Sequence, residues 1–368
     1  MKDSTNTEPS TDSQPVERPE IPVTDVTPIF VLGSARNGTT WLCNIFSGHT
    51  DIAAAQHPAH WGFHESNLFK NSKYWGDLGP LDRRIRFLEL YTAGDHFQLV
   101  GGDRAALERD LTRISRYRSP DFYDAFFFTM DQFARSTGTK HWLTKLDPLF
   151  YVHSRELARF VGRITARYGT VHWVGIERPV ADVVRSYLNM EGRATQRRTA
   201  FTRMPAFVMF ETARHVVHYR RIRGLRRQIE FPIVSYRDLR SKPGETVADI
   251  CHAVGLVSQH ELHRTRYQAN SSVAYRSASH DLAPLARWLI GSVLRPAMVL
   301  VWPVTAMVVR AREWTRHPVP PVYFKLQKLQ RYPEAFLGDL RANDELALAN
   351  LLFPESKTPE KRDNEVNR

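Results

Sequence analysis

Pro28-Ile29-Phe30-Val31-Leu32-Gly33-Ser34-Ala35-Arg36-Asn37-Gly38-Thr39-Thr40-Trp41 decides the fold. The first five residues form an unbroken apolar run of buried-strand length, and the pattern from Thr39 to Phe46 is that of an apolar helix. A strand that turns through glycines into a helix gathers backbone N–H groups and the positive helix end around an anion. Gly33 and Gly38 let the backbone approach that anion closely, and Thr39 and Thr40 add hydroxyl donors. The two glycines match the spacing of the nucleoside-triphosphatase loop G-x-x-x-x-G-K-[ST], but Thr39 stands where that loop requires lysine. The cation lies inside the loop instead, at Arg36, whose guanidinium can grip phosphate oxygens with two bonds. The competing reading is a plain strand–turn–helix corner that happens to be rich in Gly and Thr.

Strands and helices alternate along the following chain. Helical patterns cover Leu81–Thr92, Asp103–Tyr117 and Asp121–Arg135. His141–Lys145 reads as a strand, Ser154–Tyr168 as a helix, Val171–Ile176 as a strand and Val180–Leu188 as a helix opened by Pro179. Ala206–Gln228 is helical, Phe231–Ser235 a strand and Gly244–Val254 a helix ended by Gly255. This order predicts an α/β fold, P-loop-like and three-layered, with a central parallel sheet and helices on both faces. A helical apolar C-terminal extension follows it. The expected divisions are a disordered tail at 1–26, the α/β domain at 27–280, an apolar segment at 281–316, a helical segment at 317–353 and a charged tail at 354–368.

The 368 residues are 42% hydrophobic and 24% charged, which permits a sizeable core and argues against global disorder. Lys+Arg total 51 against 39 Asp+Glu, a formal charge of +12 that favours anionic partners. Cys43 and Cys251 make no disulfide framework, and the Ser/Thr/Pro/Glu-rich N-terminus has no apolar core of a signal peptide. A reducing, cytoplasmic setting is expected.

A further strand–turn–helix unit runs Trp173-Val174-Gly175-Ile176-Glu177-Arg178-Pro179-Val180-Ala181-Asp182-Val183-Val184-Arg185-Ser186-Tyr187. Arg178 at a strand end and Ser186 two turns into the helix can face one dianionic phosphate. A third, softer unit is Val234-Ser235-Tyr236-Arg237-Asp238-Leu239. In this order the three units resemble the PAPS-dependent sulfotransferases, PAPS being 3′-phosphoadenosine-5′-phosphosulfate. The unit at 28–41 is similar to the family's [K/R]-S-G-T-T-[W/L] loop for the 5′-phosphosulfate, with Asn37 in place of the usual Ser. The unit at 173–187 resembles its 3′-phosphate motif, and the unit at 234–239 its Y-[E/R]-D-L segment near the adenosine. The resemblance covers roughly 27–262. It implies PAPS as donor and PAP as product, with no metal, held by Arg36, Asn37, Gly38, Thr39, Thr40, Trp41, Arg178, Ser186 and Tyr236.

The same resemblance supplies candidates for the chemistry. His64-Glu65-Ser66-Asn67-Leu68-Phe69 resembles a stretch of Golgi-type glycan sulfotransferases in which the glutamate takes the acceptor proton, which implies Glu65 as base. Thr144-Lys145-Leu146-Asp147-Pro148-Leu149 is similar to the K-T-H-x-P-L run of the cytosolic branch, with Asp147 where its histidine stands. Lys145 is then a cation for the sulfuryl oxygens, and Asp147 the alternative base. His57, His60 and His64 mimic ligand spacing, but Pro58 breaks the helix that metal binding would need.

The resemblance implies an acceptor hydroxyl or amine, on a small molecule, lipid or glycan. Two other classes compete: a P-loop phosphoryl-transfer enzyme, weakened by the absent loop lysine, and a basic nucleotide- or nucleic-acid-binding module. The latter would draw on His215, Arg220, Arg221, Arg223, Arg226 and Arg227, but no nucleic-acid motif accompanies them, and no nucleic-acid partner is expected. From Trp288 to Val309 the chain is almost wholly apolar, yet Arg295, Pro296 and Pro303 interrupt it, leaving it short of a spanning helix. With Trp288, Trp302 and Trp314 and flanking arginines it reads as a segment docked peripherally on a membrane, against a buried core helix or dimer contact.

Overall fold

The computed structural model describes residues 25–57, 62–63, 68–146, 148–195, 200–259, 262 and 284–316. Its strands are β1 (Thr27–Leu32), β2 (Ile52–Ala54), β3 (Gln56–His57), β4 (Gly62–Phe63), β5 (His141–Lys145), β6 (His172–Glu177) and β7 (Ile233–Ser235). Five of them make one sheet in the order β2-β5-β1-β6-β7, and β3 and β4 form a separate antiparallel ribbon. Every pairing within the five-stranded sheet is parallel.

Strand β1 is apolar from Pro28 to Leu32 because both of its faces are covered there. Phe30 and Leu32 enter a core shared with Trp142, Trp173, Phe126 and Phe160, which the helices Phe122–Ser136 and Ser154–Arg167 cover. Ile29 and Val31 point the other way, into a core with Leu42, Phe46, Val174 and Ile250, covered by the helices Thr39–Phe46 and Pro243–Ala253. The predicted three-layer α/β architecture is the observed one.

A buried carboxylate ties the first of these layers to the sheet. Asp131 accepts hydrogen bonds from Trp142 Nε1 (2.9 Å), Tyr168 OH (2.7 Å) and Arg167 Nη2 (2.8 Å). A buried charge is tolerated only when it is paired and hydrogen-bonded in this way.

Topology places the site. Leaving β1, the chain builds β2 and β5 on one side and β6 and β7 on the other, so β1 sits at the point where strand order reverses. In such sheets ligands bind beyond the carboxyl ends of the strands at that point. The loop at 33–38 follows β1, Lys145 ends β5, Arg178 follows β6 and Tyr236 follows β7. All three motifs therefore open on one edge.

Observed elements differ from expectation at a few places. The helix expected over Ala206–Gln228 runs from Ala200 to Arg226, and the one opened by Pro179 continues to Thr195. Strand β2 and the β3–β4 ribbon have no counterpart in the sequence pattern. The apolar C-terminal segment is a bent pair: Pro284–Trp288, a π turn at Leu289–Leu294 and Arg295–Leu300, then Trp302–Arg316. Pro296 removes a helical donor just past the π turn, and Val301 breaks the chain's helical run. One side of the pair is core: Val309 is buried in a cluster with Val217, and Ile290 in a cluster with Val184. The other side is exposed. The segments 1–24 and 317–368 lie outside the described residues.

Candidate active site

The loop after β1 is pinned from behind. Gly33 N donates to Tyr151 OH (3.1 Å), Ser34 Oγ bonds His218 Nδ1 (2.9 Å) and Asn37 N donates to Ser34 O (3.1 Å). The Asn37 side chain is fully buried and donates inward, to Ile176 O (3.2 Å) and Tyr219 OH (3.3 Å). A ligand at the loop would thus meet the Asn37 backbone rather than its amide group.

Two residues of the loop hold left-handed backbone, Arg36 at φ 68° and Gly38 at φ 101°. An arginine kept in that region is uncommon and marks a loop whose surroundings over-determine it. At Gly38 a Cβ would stand 2.7 Å from the Tyr236 ring. Gly38→Ala combines this clash with the left-handed penalty of about 1–2 kcal/mol. The expected result is a lower melting temperature, because the loop must shift.

Folding brings the three motifs together. Arg36 Nε donates to Ser186 Oγ at 3.2 Å, across 150 residues of sequence. Arg178 Nη1 donates to the Arg36 carbonyl at 3.1 Å, and its guanidinium stacks 4.3 Å over the Tyr236 ring. Tyr236 in turn meets Trp41 edge-on, with centroids 5.6 Å apart. On the other flank Lys145, almost fully buried, places Nζ 3.4 Å from Thr40 Oγ1.

Arg178 is the telling group. It is buried, its Nε has no hydrogen-bond partner, and no carboxylate pairs with it among the described residues. Desolvation lowers its pKa, opposed by Tyr236 and Asp182 and reinforced by Arg185 and Arg36. A buried guanidinium crowded by other cations and short of a counter-ion fits an anionic ligand bearing phosphate.

Two histidines behind the loop join the site without having been expected there. His215 Nε2 lies 3.3 Å from the Arg178 carbonyl and stacks on Tyr219, while His218 bonds Ser34 as above. In sequence His215 groups with the arginines of its helix, whereas the structure turns it inward. The signal is the spacing of 215, 218, 219 and 222, one inward face of a helix. Burial pushes the His215 pKa down to about 3 and that of His218 well below the usual value.

These shifts predict acid sensitivity. The folded-state pKa values are depressed, so the unfolded chain takes up these protons first. The stability contributed is fully present above the unfolded pKa of about 6.5 and is lost as pH falls, by up to about 1.4 kcal/mol per pH unit for each histidine. Chemical denaturation between neutral pH and mild acid should show this slope, and His215→Gln should flatten it by one proton.

Glu65, Asp147, His60 and His64, and the side chain of His57, lie outside the described residues. Strand β4 packs beside the Thr39–Phe46 helix, which brings the chain to within two residues of Glu65 alongside the loop's own helix. Among the described residues no group of three His, Cys, Asp or Glu is placed to hold a metal.

The family model described as "Sulfotransferase family" matches residues 28–260, well over half of the chain. No curated protein matches it. Among solved structures, the sulfotransferase domain of the olefin synthase from Synechococcus is similar at 14% identity, covering 76% of this chain and 97% of that one, with a TM-score of 0.45. A sulfotransferase from Alicyclobacillus acidocaldarius gives 15% identity, 77% and 94% coverage and a TM-score of 0.36.

Proposed function

The chain belongs to the sulfotransferase family, and from that premise we propose that it transfers a sulfuryl group from PAPS to a hydroxyl or amine acceptor, leaving PAP. The observation that carries the donor assignment is the convergence of Arg36, Ser186 and Arg178 at the carboxyl edge of the sheet. A donor phosphorylated at both ends of its adenosine needs two phosphate stations, and two motifs distant in sequence meet here. Backbone N–H groups of the loop, with Thr39 and Thr40, would hold the 5′ end. Arg178 and Ser186 would hold the 3′-phosphate. Arg36, which already bridges to Ser186, stands between them, and Trp41 and Tyr236 offer aromatic faces for adenine.

Sulfuryl transfer needs an in-line acceptor, a base for its proton, and positive charge over the sulfuryl oxygens and the leaving phosphate. Lys145 beside Thr40, together with Arg36, supplies that charge from the protein. Glu65 is proposed as the base, with Asp147 as the alternative. The acceptor proposed is small-molecule, lipid or glycan in nature.

Calorimetric titration tests the donor. PAP should bind in EDTA at least about tenfold more tightly than ADP, since the latter leaves Arg178 without its anion. Preference for ATP with Mg²⁺ would move the protein to phosphoryl transfer, and binding of neither would make it a module of another kind. Transfer of ³⁵S from PAPS to lipid and glycan extracts, unaffected by EDTA, would then identify the acceptor.

A further inference from the structure

A cavity of about 870 Å³ opens between the Ser154–Arg167 helix, the Ala200–Arg226 helix and the C-terminal bent pair. None of the proposed donor-site residues lines it. Its walls are apolar, formed among others by Leu157, Val161, Val216 and Val299, while Arg220, Arg221, Arg223, Arg227 and Arg295 surround them and no acid does. Only Arg223 has a carboxylate partner among the described residues, Glu177 at 3.0 Å. Arg220 and Arg221 instead lie over the Trp302 ring, at 4.5 and 5.7 Å, and Arg221 Nε is buried with no hydrogen-bond partner. Guanidinia held this close over an apolar floor repel one another until an anion joins them.

The bent pair that closes the cavity carries a further feature. Val299 and Trp302 face the cavity, and Leu300, 84% exposed, and Val301 occupy the break between them. Val304, Met307 and Val308 continue the exposed apolar face along the next helix. The two helices meet at 98°, and among the described residues no single helix is long and apolar enough to cross a membrane. An apolar face this continuous is unusual on a monomer. Another copy of this chain suits it poorly, because a two-fold contact would bring one arginine cluster against another.

We propose that the arginine cavity takes the phosphate headgroup of an anionic phospholipid while the apex at Leu300–Val301 and the Val304–Val308 face rest among the acyl chains. Cations beside a shallow apolar wedge are what a protein lying on an anionic leaflet requires. The headgroup would neutralise the clustered guanidinia, and the apolar face would leave water.

Flotation of the full chain with vesicles at low salt tests this. Vesicles of phosphatidylcholine with phosphatidylglycerol should carry the protein at least about tenfold more strongly than phosphatidylcholine alone, with the difference shrinking as salt rises. Arg220→Gln with Arg221→Gln should remove the preference for the anionic lipid, and Leu300→Asp with Met307→Asp should abolish flotation. These positions are exposed or half-exposed, and an unchanged melting temperature will show that each variant folds. Equal flotation on both vesicle types, or flotation untouched by either variant pair, overturns the proposal. So does stabilisation by glycerol phosphate without flotation, which assigns the cavity to a free phosphate. A concentration-dependent dimer broken by Leu300→Asp, with no flotation, overturns it in favour of another copy of the chain.

Discussion

Arg36→Ala lowers kcat by about 10²–10³-fold or more, the loss seen when one preorganised charge-stabilising donor is removed, and weakens PAP binding by about 10–100-fold. Arg36, the loop's one cation, is expected to matter this much because of where its backbone puts it. Its left-handed conformation turns the chain at the point where the carbonyl reaches Arg178 and the side chain reaches Ser186. Loss of the guanidinium therefore removes a charge and one of the two links between the phosphate stations. Lysine in its place restores charge but not the planar fork, so Arg36→Lys should recover part of the binding and little of the selectivity for PAP over ADP. Alanine is no less strained than arginine at this φ, and melting temperatures separate a loop that fails to form from one that has lost its cation. Wild-type kcat and PAP affinity in a folded Arg36→Ala protein would remove the loop from the donor site.

How much of this is legible in the sequence depends on range. The buried strand β1, the glycine loop and its helix are local patterns, readable because apolar run, glycine and helical period follow one another directly. The parallel sheet is readable from alternation. Strand β2 is not: Ile52–Ala54 is three residues long, and two are alanines with little strand preference. The bond from Arg36 to Ser186 is foreshadowed only as two motifs serving one nucleotide, since contact across 150 residues is a property of strand order. His215 and His218 are hidden by their neighbours, because a helix so rich in arginine reads as a solvated surface. The C-terminal pair is the least legible. Core-facing Val309 and exposed Val308 are the same residue type, and the polar Thr305 beside them is itself buried, so polarity does not tell inside from outside here.

Two carboxylates compete for the role of base, and Glu65→Gln is expected to lower kcat by about 10²-fold or more while PAP affinity holds. The amide keeps the size and hydrogen-bonding reach of the side chain but cannot take the acceptor proton. The effect should therefore fall on chemistry and spare donor binding, which rests on residues across β1, β6 and β7. Asp147 competes because of its place in the chain. It follows Leu146, whose N–H bonds the Val31 carbonyl at 3.0 Å, and stands two residues beyond Lys145, itself beside Thr40. The described residues just before the two carboxylates in sequence, Phe63 before Glu65 and Leu146 before Asp147, lie beside the loop's helix and β1 respectively. The pH profile distinguishes them. An ionised carboxylate base gives a kcat/KM that falls as pH drops through its pKa, and the variant that removes the true base loses this acid limb along with the rate. Glu65→Gln slowed and flat in acid, beside an active Asp147→Asn that keeps the limb, assigns the proton to Glu65; the reverse pairing transfers the role to Asp147, two residues beyond Lys145 in sequence.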